Sequence, residues 1–535
     1  MLLSFRLLAA CFLSRTLASP IAPYGENLVV DLGYGRFQGV KNETAGVTTW
    51  FGIRYAAPPT GSKRWQPPQD IESTHYYTPG KVVDATHQGP ICVQGTPAWQ
   101  LNNTSNVTTP VGAEDCLLLD VLVPANPTSP KLAVIAQIHG GGYTEGNSET
   151  YPGYALVNAS RGNVIYATLQ YRLGAYGFLS SDEIKQNGAP NAGLLDQRAA
   201  LYWIQRHIGS FGGDPEKVTI YGGSAGGGSV MDQMILYGGA ADPPFRAAIA
   251  ERPWWQPYHD DAALERQYDE LLQASDCHDL QCLRSLPADE LALATQTSYI
   301  LGYTAKNYGY GDFYYGPTVD GTVVRDLPSN EYKQGHFTKV PLITDREGFE
   351  GYTFSNLSES TAAEETADLE SLFPGWTPSF LKRLYSLYPR SDFNSTFFQR
   401  QTIFGDFIIS CPTYYMATAV SDYKPTYKMI FDAGTEMHGA TQPYLLAFGY
   451  GNVTGQNGTL AHIMKDYYVS FVTHLDPNVV SYSGTPKPAW PSYQSGNGES
   501  FEVMFVNYTM MGATEDFDEG PRCDFWHSES YITRN

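Results

Sequence analysis

Lysine and arginine are scarce: 34, against 55 aspartates and glutamates in 535 residues, leave a formal net charge of −21. Nucleic acid and anionic membrane both require clustered basic side chains, so neither is an expected partner. After the first twenty residues no uninterrupted apolar run reaches membrane-spanning length, and the expectation is a product without a stable membrane anchor. No internal period and no low-complexity segment shows, which sets aside repeat architectures and disordered tails. H-E-x-x-H and paired C-x-x-C patterns are missing, and neither G-x-x-x-x-G-K-[ST] nor G-x-G-x-x-G can be threaded through the glycine-rich stretch at 222–228. No metal, nucleotide or other cofactor is therefore called for.

Cysteine is also sparse, but its distribution is informative. The segment "MLLSFRLLAACFLSRTLASP" has a basic Arg6, an apolar stretch and the small-residue step Thr16-Leu17-Ala18, which reads as a secretory signal peptide over residues 1–18. Of seven cysteines, Cys11 leaves with it. Cys92, Cys116, Cys277, Cys282, Cys411 and Cys523 remain, an even number as a disulfide framework requires. Asn42, Asn102, Asn103, Asn106, Asn158, Asn356, Asn394, Asn452, Asn457 and Asn507 all stand in N-x-[ST] patterns. A secreted, extracellular glycoprotein is the expectation.

Strand followed by helix is what recurs. "KLAVIAQI" (131–138) and "NVIYATL" (163–169) are apolar runs of buried-strand length. "GLLDQRAALYWIQRHIG" then sets Leu194, Leu201, Ile204 and Ile208 on one helical stripe, and "KVTIYG" follows after Gly-Gly-Asp-Pro at 212–215. This order implies a parallel sheet with right-handed crossovers. Further on, "VPLIT" (340–344) and "YKMIFDA" (427–433) read as strands and "HIMKDYYVSFVTHL" (462–475) as a helix. No long linker interrupts residues 19–535, so one large α/β domain with insertions is expected.

"YGGSAGGGSV" (221–230) surrounds Ser224 with glycine directly after a strand. Gly222-Gly223-Ser224-Ala225-Gly226 satisfies G-x-S-x-G in the strand-to-helix setting where it forms a nucleophile elbow, and larger residues two before and two after the serine would collide in that turn. A serine needs a base, a group that orients the base, and donors for the oxyanion. "IHGGGY" (138–143) follows another strand and offers backbone N–H groups without intervening side chains.

"FGIRYAAPP", "EDCLLLDV", "IHGGGY", "YRLGAYGFL", "NAGLLDQRAALYWI", "FGGDPEKVTIYGGSAGGGSV", "GPTVDG", "HLDPN" and "AWPSY" occur in this order over nearly the whole mature chain. In these segments the sequence resembles the type-B carboxylesterase/lipase family, its secreted fungal members most. The resemblance implies an α/β-hydrolase fold, with a large, mostly parallel central sheet flanked by helices. It also implies a carboxylic ester hydrolase with a Ser, Glu, His triad in that chain order. His438 in "DAGTEMHGA" matches the family's His-Gly step. His462 and His474 fall in the helix pattern, and His139 belongs to the glycine turn. Glu350 becomes the orienting carboxylate when Glu350-Gly351 in "PLITDREGFEGYTF" is aligned on the family's Glu-Gly. Asp345 and Glu347 remain alternatives, and this register puts them on a turn surface. Gly141, Gly142 and Ala225 would supply the oxyanion N–H groups.

By the same resemblance Cys92 and Cys116 close a loop over the gorge mouth, and Cys277 and Cys282 a short satellite loop, which leaves Cys411 to Cys523. Two departures bear on substrate. Gly223 stands where the family often has glutamate, and "AIAERPWWQPY" (248–258) replaces the usual Gln-Ser-Gly, bringing Trp254 and Trp255 either to the acyl pocket or into the core. The short, polar first loop favours an esterase of soluble or moderate-sized esters over a triacylglycerol lipase acting at interfaces. A non-catalytic adhesion or scaffold protein is a third reading, which retention of Ser224 and His438 disfavours.

Overall fold

The computed structural model describes residues 28–101, 107–449, 457–494 and 501–535. The leader with Cys11 and the sequons at Asn102, Asn103, Asn106 and Asn452 lie outside these residues. Eleven strands form the main sheet: β1 (Val40–Asn42), β2 (Val47–Arg54), β3 (Leu118–Pro124), β4 (Leu132–Ile138), β5 (Val164–Leu169), β6 (Gly213–Gly223), β7 (Ala247–Glu251), β8 (Leu342–Glu347), β9 (Thr426–Asp432), β10 (Glu502–Asn507) and β11 (Met511–Glu515). Their order is β11-β10-β9-β8-β7-β6-β4-β5-β3-β2-β1. Neighbours from β10 to β5 are parallel, whereas β11 and the β3-β2-β1 end pair antiparallel. A separate sheet joins Val29–Asp31, Arg36–Gln38 and Val82–Asp84.

Alternation along the strands builds two cores. Val134, Ala136 and Ile138 of β4 pack with Val218 and Ile220 of β6 and with Leu194, Leu201 and Ile204 of helix α1 (Ala192–His207). Ala133 and Ile135 face the other way, onto Ile463, Tyr467 and Phe471 of a helix spanning Gly458–His474. Side chains at successive strand positions point to opposite faces, so a run apolar at every position is covered by helices on both sides.

The expected elements form, with two adjustments. β6 starts at Gly213, inside the Gly-Gly-Asp-Pro stretch expected to precede it, because Gly213 pairs with Leu132 before the ladder shifts register. β8 runs on to Glu347, so Asp345 and Glu347 lie within a strand and are fully buried. Their expected place on a turn surface is incorrect: central pairing to β9 continues through Glu347↔Phe431. Disulfides join Cys92 to Cys116, Cys277 to Cys282 and Cys411 to Cys523. Among the described residues no helix is long and apolar enough to cross a membrane.

Candidate active site

The chemistry-bearing residues gather at the C-terminal ends of parallel strands, where an open α/β sheet leaves its crevice. β6 ends in the serine turn. Ser224 adopts φ +60°, ψ −129° and caps helix α2 (Ala225–Ile235). It is the only residue of 221–230 that is not buried. Gly222 and Gly226 are required by close approach: a Cβ on Gly222 would meet Gly226 O at 2.3 Å, and one on Gly226 would meet Ile138 O at 2.2 Å. The turn is pinned by Ser224 N donating to Glu251 O (3.1 Å) and by Gly228 N and Trp254 N donating to Ser224 O (2.9 and 3.0 Å). Strain at such a residue persists because its surroundings over-determine it.

The end of β4 supplies the glycine turn. A Cβ on Gly140 would lie 3.1 Å from Ser224 Cβ, so the two turns are in contact. Gly141 and Gly142 have φ of +108° and +59°. Among the described residues their N–H groups donate to no protein acceptor. The Ala225 N–H is one of the donors that a helix N-terminus leaves open, and the α2 dipole adds partial positive charge behind the serine. His139 is buried, contacts Gly140 O through Nδ1 at 2.8 Å and stacks on Tyr171. Burial holds it near pKa 4, a neutral ring that shapes this turn.

The loops after β8 and β9 bring Glu350 to His438. Their backbones join through Phe349 N donating to Glu436 O (2.7 Å). His438 Nδ1 lies 2.5 Å from Glu350 Oε2, and Glu350 Oε1 accepts from Glu347 N at 2.7 Å. Gly351 is fixed by packing, since a Cβ there would come within 1.9 Å of Gln401 O. Burial and the Arg252 charge hold His438 down at about 3, with Glu347 opposing them. Burial raises the Glu350 carboxyl, which its bond from Glu347 and the Arg252 charge counteract. The buried His438 Nε2 has no protein partner, and no hydrogen bond joins it to Ser224 among the described residues. Such bonds are often loose before substrate arrives.

Glu347, Glu350 and His438 also form a cluster of potential metal ligands, with one atom of each within 4.8 Å of the others. Part of this donor set is already engaged, while Glu347 Oε2 and His438 Nε2 have no partner among the described residues. Glu347 Oε1 accepts from Thr441 N, Thr441 Oγ1 and Arg252 Nη1, while both Glu350 oxygens are used within the loops. Asp345 points elsewhere: its Oδ1 accepts from Arg252 N and its Oδ2 from Tyr468 Oη.

Aromatic rings cluster beside His438 and the glycine turn. Trp254 packs 6.2 Å from the His438 ring and 4.6 Å from Phe354, which is itself 5.2 Å from His438. Phe313 covers Gly142, whose Cβ would enter that ring at 2.2 Å. Trp99, from the loop closed by Cys92–Cys116, packs against Phe313 and Phe354, so this loop has an aromatic underside although its sequence is mostly polar. Trp255 instead stacks on Tyr332 in the core. The two tryptophans thus divide between the alternatives. Sequence reasoning missed Arg252, Thr441 and Phe354; the adjacent charges Glu251-Arg252 inside an apolar run were the available signal.

A strand-end serine turn beneath a glycine turn, with an acid–imidazole pair on later strands, defines the α/β-hydrolase class. Residues 26–526 match the Carboxylesterase family, and the chain belongs to that family of carboxylic ester hydrolases. It is 30% identical to carboxylesterase patB of Aspergillus clavatus, over 93% of this chain and 95% of that protein. It is also 30% identical to lipase 1 of Geotrichum candidum, over 88% and 90%. The crystal structure of Aspergillus niger EstA superposes with a TM-score of 0.81 at 28% identity, covering 95% of this chain and 99% of that one.

Proposed function

We propose that Ser224, His438 and Glu350 act as the catalytic triad of a secreted serine esterase, residues 1–18 being its signal peptide and the remainder one hydrolase unit. The observation that carries this is the 2.5 Å contact between Glu350 and His438 Nδ1, which leaves Nε2 as the free ring nitrogen. His438 takes the Ser224 proton as Oγ adds to the ester carbonyl. The N–H groups of Gly141, Gly142 and Ala225 bind the oxyanion, and the alkoxide leaves with the proton from His438. Water then attacks the acyl-enzyme by the same route reversed. Glu350 holds the tautomer that presents Nε2 as base.

Export is supported by three disulfides and by sequons of which none of the six described asparagines is buried. The relatives include a "Secreted lipase 1" from Botryotinia fuckeliana. The aromatic cluster suits esters of moderate size, and hydrolysis of soluble short-acyl esters is the favoured activity over interfacial lipolysis. Ser224→Ala should lower the turnover of a chromogenic short-acyl ester by roughly 10⁴ to 10⁶ with an unchanged melt, and a phosphonate should label only the parent. Retained activity in Ser224→Ala would remove the triad reading. A chain-length series that rises toward emulsified triacylglycerol would replace esterase by lipase.

A further inference from the structure

We propose that Arg252 is a positioning residue, matched to the absent side chain of Gly223, which locks the nucleophile turn to the loops that carry Glu350 and His438. The inference rests on the triad reading and adds a residue to it. Gly223 immediately precedes the serine, and a Cβ built there would lie 2.7 Å from Arg252 Nη2 and 3.1 Å from Cζ. The guanidinium therefore occupies the space that any other residue at 223 would claim.

From that position Arg252 connects the serine turn with the segments that carry Glu350 and His438. Its N–H donates to Asp345 Oδ1 at 2.7 Å and to Asp345 O at 3.0 Å, holding the segment after β7 against β8. The preceding residue, Glu251, accepts Ser224 N on its carbonyl. Arg252 Nη1 donates to Thr441 Oγ1 at 2.7 Å and to Glu347 Oε1 at 3.4 Å. Thr441 is three residues beyond His438 on the same turn, and Glu347 N fixes Glu350. Both bonds leave from the one Nη1 nitrogen, so a single donor group ties the Thr441 turn to Glu347, while among the described residues Nε and Nη2 have no hydrogen-bond partner. The side chain is fully buried, and φ of +35° at a non-glycine residue shows that the fold accepts strain to place it.

The charge matters as well as the shape. Charged groups acting on the His438 ring are Glu347 at the end of β8, Glu350 from the loop after it and Arg252 from the loop after β7; the packed rings of Trp254 and Phe354 carry no charge. A guanidinium there opposes a second positive charge on the imidazole and favours the ionised Glu350. Both effects push the acid limb of the rate profile downward.

The test is a double-mutant cycle with pH profiles. Gly223→Ala should lower kcat roughly 30-fold with KM within about twofold, because the methyl displaces the guanidinium. In an Arg252→Lys background, where Nη2 is absent, the same methyl should cost less than about threefold. Arg252→Met should raise the midpoint of the acid limb of kcat/KM by about one pH unit, and Arg252→Lys should leave it in place. Additive losses in the cycle, or a limb unmoved in a folded Arg252→Met, would overturn the proposal. If Arg252→Met does not fold, the cycle alone decides. Activity surviving in Ser224→Ala would instead sink the triad reading, so the two failures are distinguishable.

Discussion

Strand β8 carries a charge cluster on each face. Arg346 points to one side, where its Nε and Nη2 hold Asp518 at 2.7 to 3.1 Å, and Lys428 from β9 meets Asp516 and Asp518 at 2.6 Å. Two cations are ion-paired to two carboxylates, with Asp432 close by Arg346. Burial would raise the Asp518 carboxyl, but Arg346 and Lys428 outweigh it and hold it at about 2. On the other face Glu251, Asp345, Glu347 and Glu350 share the single guanidinium of Arg252. Burial drives Glu347 up to about 7, with Glu350 contributing and Arg252 opposing. Glu251 Oε1, Glu347 Oε2, Arg252 Nε and His438 Nε2 are buried there without partners. A balanced cluster serves the sheet. An unbalanced one at the strand ends is a cost the fold bears beside His438.

The comparison is broken hardest at Glu350. Glu350→Gln should leave the melt nearly unchanged while kcat falls by roughly 10⁴, the loss that follows when a triad carboxylate becomes an amide; full activity would assign the acid elsewhere. On the balanced face, Lys428→Met should do the reverse. Leaving two buried carboxylates short of a cation should cost about 3 to 5 kcal/mol in denaturant unfolding, with kcat per folded molecule unchanged. A parallel fall in both would mean that the faces are not separate.

Acid separates the clusters next. Asp518 is depressed in the folded state, so its contribution is present above the unfolded carboxylate range near pH 4 and is lost as pH falls toward about 2. Unfolding titrations should show this as on the order of 2 kcal/mol, reduced in Lys428→Met, where Arg346 still holds Asp518. Glu347 is raised, so its contribution is present below its unfolded value and is lost as pH rises through about 7. Glu347→Gln should flatten that decline between the unfolded carboxylate range and about pH 7; an unaltered slope would show that another group titrates there.

The serine turn was legible because its constraint is local. Gly222 and Gly226 touch one another across four residues, and a motif can record such a contact. His438 was legible as a histidine at a strand end followed by glycine. Glu350 came from register alone; it contacts His438, and Gly351 has no room for a side chain beside Gln401. Asp345 and Glu347 were misplaced because "TDRE" carries turn-like residues, yet pairing with β9 on one side and charged partners on both faces keep it in the sheet.

Sequence by itself determined the elements, the buried-strand pattern and the serine turn, since each depends on residues within one turn or one strand of each other. Tertiary structure decided which carboxylate meets His438, which tryptophan faces the site and what fills the space beside Gly223. Those answers depend on contacts across tens to hundreds of residues, such as Arg252 Nη1 to Thr441 Oγ1 at a separation of 189. The charge of a side chain is written in the sequence, but the field it meets is set by the elements that fold around it.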